Sequence, residues 1–428
     1  MPHHPLNEFP YWWEGVSHPT ADISPEEKVW DIVIIGGGFT GLHAAITLAS
    51  SGQDTLVLEA GRIGQGASGR NGGMLGNLLI PGLDELVEKY GAAKAAALYR
   101  EGEAAFKYTV NQIDAMGIEC DLATPGRLFP AATSKHLEQQ KKSVEMRHRL
   151  LGREEAVIDK AELAAELNSP LYYGAFAQFD TGSLHPGKYA AGLAKGAEKE
   201  GARIVQNCRA DRIKRTLSGF EIETSKGWVR CRQLIMATNG YHEFLHPSFF
   251  HRIIPIASSM IATAEMDPSE VTLLIPSQKS MSDSYKILNY FRPSPDGKRL
   301  LIGGRPSIFK TPLTKQADIL LARLKSIFPT MPETSAEYVW TGNVAYGFNS
   351  LPHIGQMDGI YFASGYGGSG VAMSGYLGQK IALKMLEKGG ADTAFDDLPF
   401  ETRFYYNGQP WFLPLAMIGY KLKDKFGI

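Results

Sequence analysis

The chain has 428 residues, 44% of them hydrophobic, enough to bury a large core and to predict two interleaved domains rather than one. A formal net charge of -1 with pI near 6.8 excludes an overall electrostatic pull towards nucleic acid or an anionic membrane. Cys120, Cys208 and Cys231 form no CxxC pair or disulfide framework, the chain start carries no basic apolar leader, and no apolar run approaches the roughly 20 residues of a membrane helix, so a cytoplasmic protein is expected.

Tyr11, Trp12 and Trp13 precede a polar, proline-bearing connector ending near Glu27, and this aromatic cluster is expected to pack onto the body. The apolar run from Trp30 to Ile35 predicts a strand buried on both faces. After Gly36, Gly37 and Gly38 a helix is predicted from about Thr40 to Ser51, with Leu42, Ala45, Ile46 and Ala49 on one face and Gly52 closing it. Thr55 to Leu58 is the second strand and ends in Glu59. Leu83 to Gly117 and Ser134 to Leu167 read as helical, being rich in Ala, Glu, Lys and Leu. Lys188 to Gly201 is a further amphipathic helix, leading into a strand at Ala202 to Val205. Gly219 to Thr224, Gly227 to Arg230 and Gln233 to Ala237 read as strands joined by short turns, and mixed strands are expected from Arg252 to Ile302. A last strand, Ile360 to Ser364, feeds a glycine-rich loop and a helix to about Glu387.

Nucleotide-binding signals thus occur towards both ends, with a strand-rich segment between. The predicted class is α/β: a Rossmann-like nucleotide-binding domain assembled from separated segments, with an inserted α+β substrate domain built on a mixed sheet. The expected division gives 1–80, 185–245 and 336–390 to the first, 81–184 and 246–335 to the second, and leaves 391–428 as a tail packed on the body.

Gly36-x-Gly38-x-x-Gly41, with Phe39 and Thr40 inside it, lies between strand and helix, and Glu59 follows at the end of the next strand. Gly36 permits the tight turn, Gly38 lets backbone approach a pyrophosphate, and Gly41 lets helix and sheet pack closely. The helix N-terminus offers unpaired N–H groups and a positive dipole end. The Glu59 carboxylate can accept from ribose hydroxyls, with Ala60 and Arg62 beside it. Further on, Gly64 to Gly73 (GQGASGRNGG) is rich in small residues, Ala67 and Gly72 among them, so its backbone can lie against a flat ligand while Ser68, Arg70 and Asn71 supply donors.

The run from Asp31 to Gly73 resembles the D-amino-acid oxidase superfamily of flavoenzymes, and more closely its γ-glutamylputrescine oxidase branch, alongside glycine and sarcosine oxidases. Matching motifs continue through Ala237-Thr238-Asn239-Gly240-Tyr241, Tyr290-Phe291-Arg292, Leu300 to Arg305 (LLIGGR), Gly365 to Gly370 (GYGGSG) and Pro410 to Leu415 (PWFLPL). The resemblance implies FAD as cofactor, contacted also by Ala237 and Thr238. Gly365-x-Gly367-x-x-Gly370 repeats the fingerprint, but no strand ending in an acid follows it, so no second nucleotide is expected. In the resembled family this loop, here with Gly368 and Ser369, meets the pyrimidine end of the flavin. A helix starting near Gly370 then directs its positive end at N1 and C2=O. Sarcosine oxidases tether flavin through a cysteine in the segment that here reads Thr341 to Gly347; none is present, which implies non-covalent FAD. Their oxygen-activating lysine falls near Leu301, which leaves the acceptor open.

No Ser-His-Asp arrangement, HExxH or metal spacing occurs among the eleven histidines. Flavin amine oxidation needs orientation and a deprotonated amine more than a strong base. Arg292 and Arg305 either pair with a substrate carboxylate or make structural ion pairs. Tyr241, Tyr285, Tyr346 and Tyr366 either wall an amine site or belong to the core, and His353 is expected to be structural. The expected activity is oxidation of a small-molecule amine or amino acid to an imine, which then hydrolyses, with oxygen yielding peroxide. One alternative is a dehydrogenase feeding a quinone or carrier protein, motivated by Trp411, Phe412, Leu413, Leu415 and Ile418 ahead of Lys421, Lys423 and Lys425. A non-catalytic flavin-binding partner protein is the third reading. Nucleic acid is not an expected partner, and packing of the tail is preferred to peripheral membrane contact.

Overall fold

The computed structural model describes residues 6–17, 24–242, 245–307 and 311–426. The first five residues, within the stretch read for a leader, and the side chains of Lys423 and Lys425 lie outside the described residues.

β1 (Val29–Ile35) is buried as expected except at its start and at Asp31, which pairs with Arg232. α1 (Phe39–Ala49) and β2 (Thr55–Leu58) follow, then a short β3 (Met74–Leu75). The single helix expected over 83–117 is two, α2 (Leu83–Tyr90) and α3 (Ala92–Met116), because Gly91 between them takes φ +80°, outside helical geometry. β4 (Arg127–Pro130) was not anticipated. The helix expected to reach Leu167 stops at Leu151 (α4, Ser134–Leu151), where Gly152 takes a left-handed φ of +68°. The chain then forms β5 (Glu155–Asp159), the short α5 (Lys160–Leu163) and β6 (Gly174–Gln178). Helix-forming composition could not foresee that Glu155–Asp159 pairs with β6 at a sheet edge.

β7 (Gly182–Ser183) pairs with β3, and α6 (Pro186–Lys199) leads to β8 (Arg203–Val205). β9 (Ala210–Thr216), unforeseen because it is polar, pairs with β10 (Gly219–Thr224). The two strands expected between 227 and 237 are one, β11 (Gly227–Met236): it holds β10 at its start and β18 at its end, with β1 on the other edge. The rest comprises α7 (Pro247–Phe250), β12 (Ile254–Thr263), α8 (Pro268–Leu274), β13 (Ser280–Ser282), β14 (Tyr290–Pro293), β15 (Leu300–Gly304), α9 (Leu313–Ile327), β16 (Ala336–Tyr346), β17 (His353–Met357), β18 (Ile360–Ser364), α10 (Gly370–Met385) and α11 (Leu413–Phe426).

Two large sheets result. The first runs β17-β18-β11-β1-β2-β8, parallel from β18 through β8, with β10 and β9 appended. Helices α1, α2, α3, α6 and α10 pack on one of its faces through Leu42, Leu98, Leu193 and Leu377; thus α2 and α3, grouped by sequence with the substrate domain, join this core. The second sheet runs β16-β12-β15-β14-β13-β4-β6-β5 and is antiparallel except between β13 and β4. Its outer face packs on α9 through Phe291, Ile302 and Leu324. β16, which the sequence reading grouped with the nucleotide domain, is paired along its length with β12 in this second sheet. Trp12 is fully buried against Met260, Leu301 and Trp340, so the N-terminal aromatics pack onto the body. In the tail, Phe395, Leu398, Tyr406 and Met417 are buried while Phe404, Trp411, Leu415 and Ile418 stay exposed. No helix among the described residues is long and apolar enough to cross a membrane.

Candidate active site

Three glycine-bearing loops come together, the second and third of them against the second sheet at Tyr290 and Tyr346. In the first, Gly36 takes φ +111°, and a Cβ on Gly41 would lie 2.0 Å from the Gly36 carbonyl oxygen, so neither accepts a side chain. That tight turn brings β1 directly into α1. Ser68 Oγ accepts the Phe39 N–H at 2.9 Å, and a Cβ on Gly38 would crowd the same hydroxyl at 2.8 Å. Glu59 accepts from Gly37 N–H at 2.8 Å and from Gly61 N–H at 2.9 Å. Burial raises its pKa, and the N–H groups of Gly61, Gly37 and Ala60 oppose that shift.

The second loop, Gly64 to Gly73, uses the donors assigned to a ligand for its own architecture. Arg70 donates to the carbonyls of Gln65 (2.7 Å) and Thr341 (3.0 Å), and Asn71 donates to those of Ala67 and Ser68 while accepting from Gly73 N–H. Arg62 and Arg70 both lie over Trp13, at 3.4 and 4.7 Å from its centroid, so the N-terminal turn buttresses this loop. Gly72 approaches the sheet so closely that a Cβ there would lie 3.4 Å from the Tyr290 ring.

In the third loop, Gly365, Gly367 and Gly368 all have positive φ. Asn239, itself at φ +48°, accepts from Ser364 Oγ and Gly365 N–H, both at 3.0 Å, which ties Ala237–Tyr241 to this loop. Tyr366 links it to the first loop: its hydroxyl donates to Ala363 O at 2.8 Å and lies 2.7 Å from Thr40 Oγ1. A Cβ on Gly367 would lie 3.4 Å from the Tyr346 ring. α10 begins at Gly370, and Ser369 Oγ donates to Tyr366 O at 2.8 Å.

The six candidate substrate residues do not converge. Tyr346 and Arg305 do, with Arg305 Nη2 donating to the Tyr346 hydroxyl at 3.1 Å. Arg292 is a seam residue: it donates to Pro293 O, Gly73 O and Leu184 O at 3.0 to 3.1 Å, commitments that oppose a role as a free carboxylate clamp. Tyr366 is buried at 4% exposure, and Tyr241 accepts from Asn343 N–H with its ring against Gly66. Tyr285 lies instead in a cleft with Ile287, Arg323 and Asp424 under α11. His353 stacks on Phe400 at 4.2 Å and bonds Asn349, a structural arrangement. Sequence reasoning missed Tyr290 and Ser258, whose hydroxyls lie 3.0 Å apart beside Gly72. The two-residue period of β14 puts Tyr290 on the same face as Arg292, a signal that was available.

Glycines that permit close backbone approach, an N-terminal helix turn and a half-buried acid at the end of the second strand fit a bound dinucleotide. Among the described residues no group of His, Cys, Asp or Glu is arranged to hold a metal. The family described as FAD dependent oxidoreductase (DAO) matches residues 31–383. Gamma-glutamylputrescine oxidoreductase of Escherichia coli is 30% identical, over 95% of this chain and 96% of its own. Among solved structures, glycine oxidase from Geobacillus kaustophilus superposes with a TM-score of 0.71 at 21% identity, covering 88% of this chain and 99% of that one. L-amino acid deaminase from Proteus vulgaris reaches 0.71 at 16%, covering 89% and 99%. With the family model spanning most of the chain, and the loops it relies on folded as described, this protein belongs to the FAD dependent oxidoreductase (DAO) family.

Proposed function

We propose that FAD lies non-covalently along the three loops and that the amine is held over Tyr290, between Gly72 and the Arg305–Tyr346 pair. The family membership gives the reaction, FAD-dependent oxidation of an amine or amino-acid C–N bond. The observation that carries the placement is the approach of Gly72 to Tyr290 and of Gly367 to Tyr346, two loops closing on one sheet face. FAD, when bound, accepts the hydrogen and electron pair from the carbon bearing nitrogen. The tyrosines orient the amine and exclude water, and Arg305 holds the Tyr346 hydroxyl. Thr341 to Gly347 contains no cysteine, which supports the non-covalent mode. The three cysteines are buried and unbridged, which supports a cytoplasmic setting.

The preferred acceptor is oxygen, which takes the two electrons and two protons removed from the amine and leaves as peroxide, while water separately hydrolyses the imine to a carbonyl compound and ammonia or an amine. A carrier protein or quinone is the second reading, favoured by the exposure of Trp411 at 59% and Leu415 at 69%. Acid denaturation should release intact FAD, and anaerobic addition of an amine should bleach the flavin. Flavin left on the precipitate would refute non-covalent binding. Peroxide formation in air, compared with turnover on an artificial acceptor, separates the two acceptor readings.

A further inference from the structure

We infer that Arg127 is a carboxylate subsite in the wall of the active-site cavity, so that the amine oxidised here also carries a carboxylate. The inference rests on the placement of substrate over Tyr290 proposed above. Arg127 opens β4; its neighbour Leu128 packs into the outer core, so the period of two turns Arg127 to the inner face. Its Nη2 donates to Ser282 Oγ at 2.5 Å and lies 3.4 Å from Met74 Sδ. Ser282 is the direct cross-strand partner of Tyr290, and Met74 follows the Gly64–Gly73 loop. The guanidinium therefore stands next to Tyr290 along the sheet, at the edge of the same loop.

What distinguishes Arg127 is that neither a carboxylate nor a backbone carbonyl receives its guanidinium, whose acceptors are the Ser282 hydroxyl and the Met74 sulfur. The buried Arg147 and Arg153 share Glu155, with Glu103 also on Arg153; Arg299 pairs with Glu337, and Arg292 with three carbonyls. Among the described residues no carboxylate lies within ion-pair reach of Arg127, and its Nε is buried with no acceptor. Part of its surface nonetheless stays accessible, as does part of Tyr290. Burial pulls its pKa down to about 10, which still leaves it charged. A positive charge in a low-dielectric wall without an anion is costly, and a carboxylate received at Nη1, which has no protein partner and is not enclosed, supplies the missing charge.

The test uses FAD-loaded protein, wild type against Arg127→Met and Arg127→Lys, under anaerobic conditions. Two matched amine pairs are compared, 5-aminopentanoate with pentylamine and sarcosine with dimethylamine. Glutarate alone is also titrated while the flavin spectrum is followed. Glutarate should perturb the wild-type spectrum saturably and fail to do so in Arg127→Met. The half-saturating concentration of the carboxylate-bearing amines should rise roughly ten- to a hundred-fold, the factor one lost charge-assisted hydrogen bond brings, while the partner amines are unaffected. Arg127→Lys should be intermediate, and it decides the matter where Arg127→Met does not retain FAD. Equal behaviour of wild type and variants towards both members of a pair, or no glutarate binding to wild type, overturns the subsite and leaves amine oxidation standing. An Arg127-dependent glutarate signal without flavin reduction by any amine overturns the substrate placement instead and keeps the anion subsite.

Discussion

Glu59 shows how one side chain can serve the fold and the ligand together. Its two oxygens accept from Gly37 and Gly61, which pins the turn after β2 against the loop after β1. A carboxylate has about four acceptor sites, so two backbone bonds leave capacity for ribose hydroxyls. Glu59→Gln retains size but removes charge and turns an amide N–H₂ towards one of the backbone donors. FAD affinity should fall by roughly ten-fold or more, the loss of about 1.5 kcal/mol or more from one charge-assisted bond. Quenching of FAD fluorescence during titration of apoprotein measures this. Unchanged affinity would place the ribose away from Glu59.

At the scale of an element, α10 is the sharper case. Its N-terminus opens at Gly370 beside three glycines with positive φ, and Ser369 spends its hydroxyl on Tyr366 O rather than on the helix. If this end faces the flavin ring, the helix dipole favours the negative charge that develops on reduction. Ser369→Asp then opposes that charge. A unit charge about 4 Å away costs roughly 4 kcal/mol at an effective dielectric near 20, and a quarter of that would lower the two-electron potential by about 20 mV. Ser369→Asn is the control of similar shape. Equal potentials in the two variants, each with FAD bound, would show that the loop does not face the ring.

The whole molecule carries a pH response in its buried histidines. Desolvation lowers His43 to about 3, and both of its ring nitrogens lie against tyrosine hydroxyls, those of Tyr108 and Tyr189. Desolvation likewise lowers His185 and His353 to about 4 each. The unfolded chain protonates these groups below about pH 6.5 while the folded protein does not, so stability falls as pH drops from 6.5 towards 4. By pH 5 each contributes a loss of up to about 2 kcal/mol. Asp283 acts in the opposite sense: burial raises it to about 6, so the folded state takes up its proton first and regains about 1 kcal/mol by pH 5. With saturating FAD throughout, the urea midpoint should decline from pH 7.5 to 5, and His43→Gln should flatten the decline. A midpoint that is level or rising towards pH 5 would contradict this account.

Read alone, the sequence determined what depends on local chain geometry. Gly36, Gly38 and Gly41, between an apolar run and a helix and followed by Glu59, specify a tight turn in which Gly36 and Gly41 exclude a side chain, and the structure folds it so. It was equally informative at Thr55–Leu58 and in the glycine loop before α10. It was silent where a segment's partner decides its state. Glu155–Asp159 has helix-forming composition and becomes a strand because β6 offers an edge; β11 is continuous because three neighbours hold it. Side-chain roles divide in the same way. A donor such as Arg70, Asn71 or Arg292 has the same chemistry whether it meets a ligand or a carbonyl, and only the packing of loop on sheet showed that these three are occupied by backbone. Tyr290 and Arg127 face the loops from the second sheet for the complementary reason: strand register, a property of paired chains rather than of one, sets which face each side chain takes.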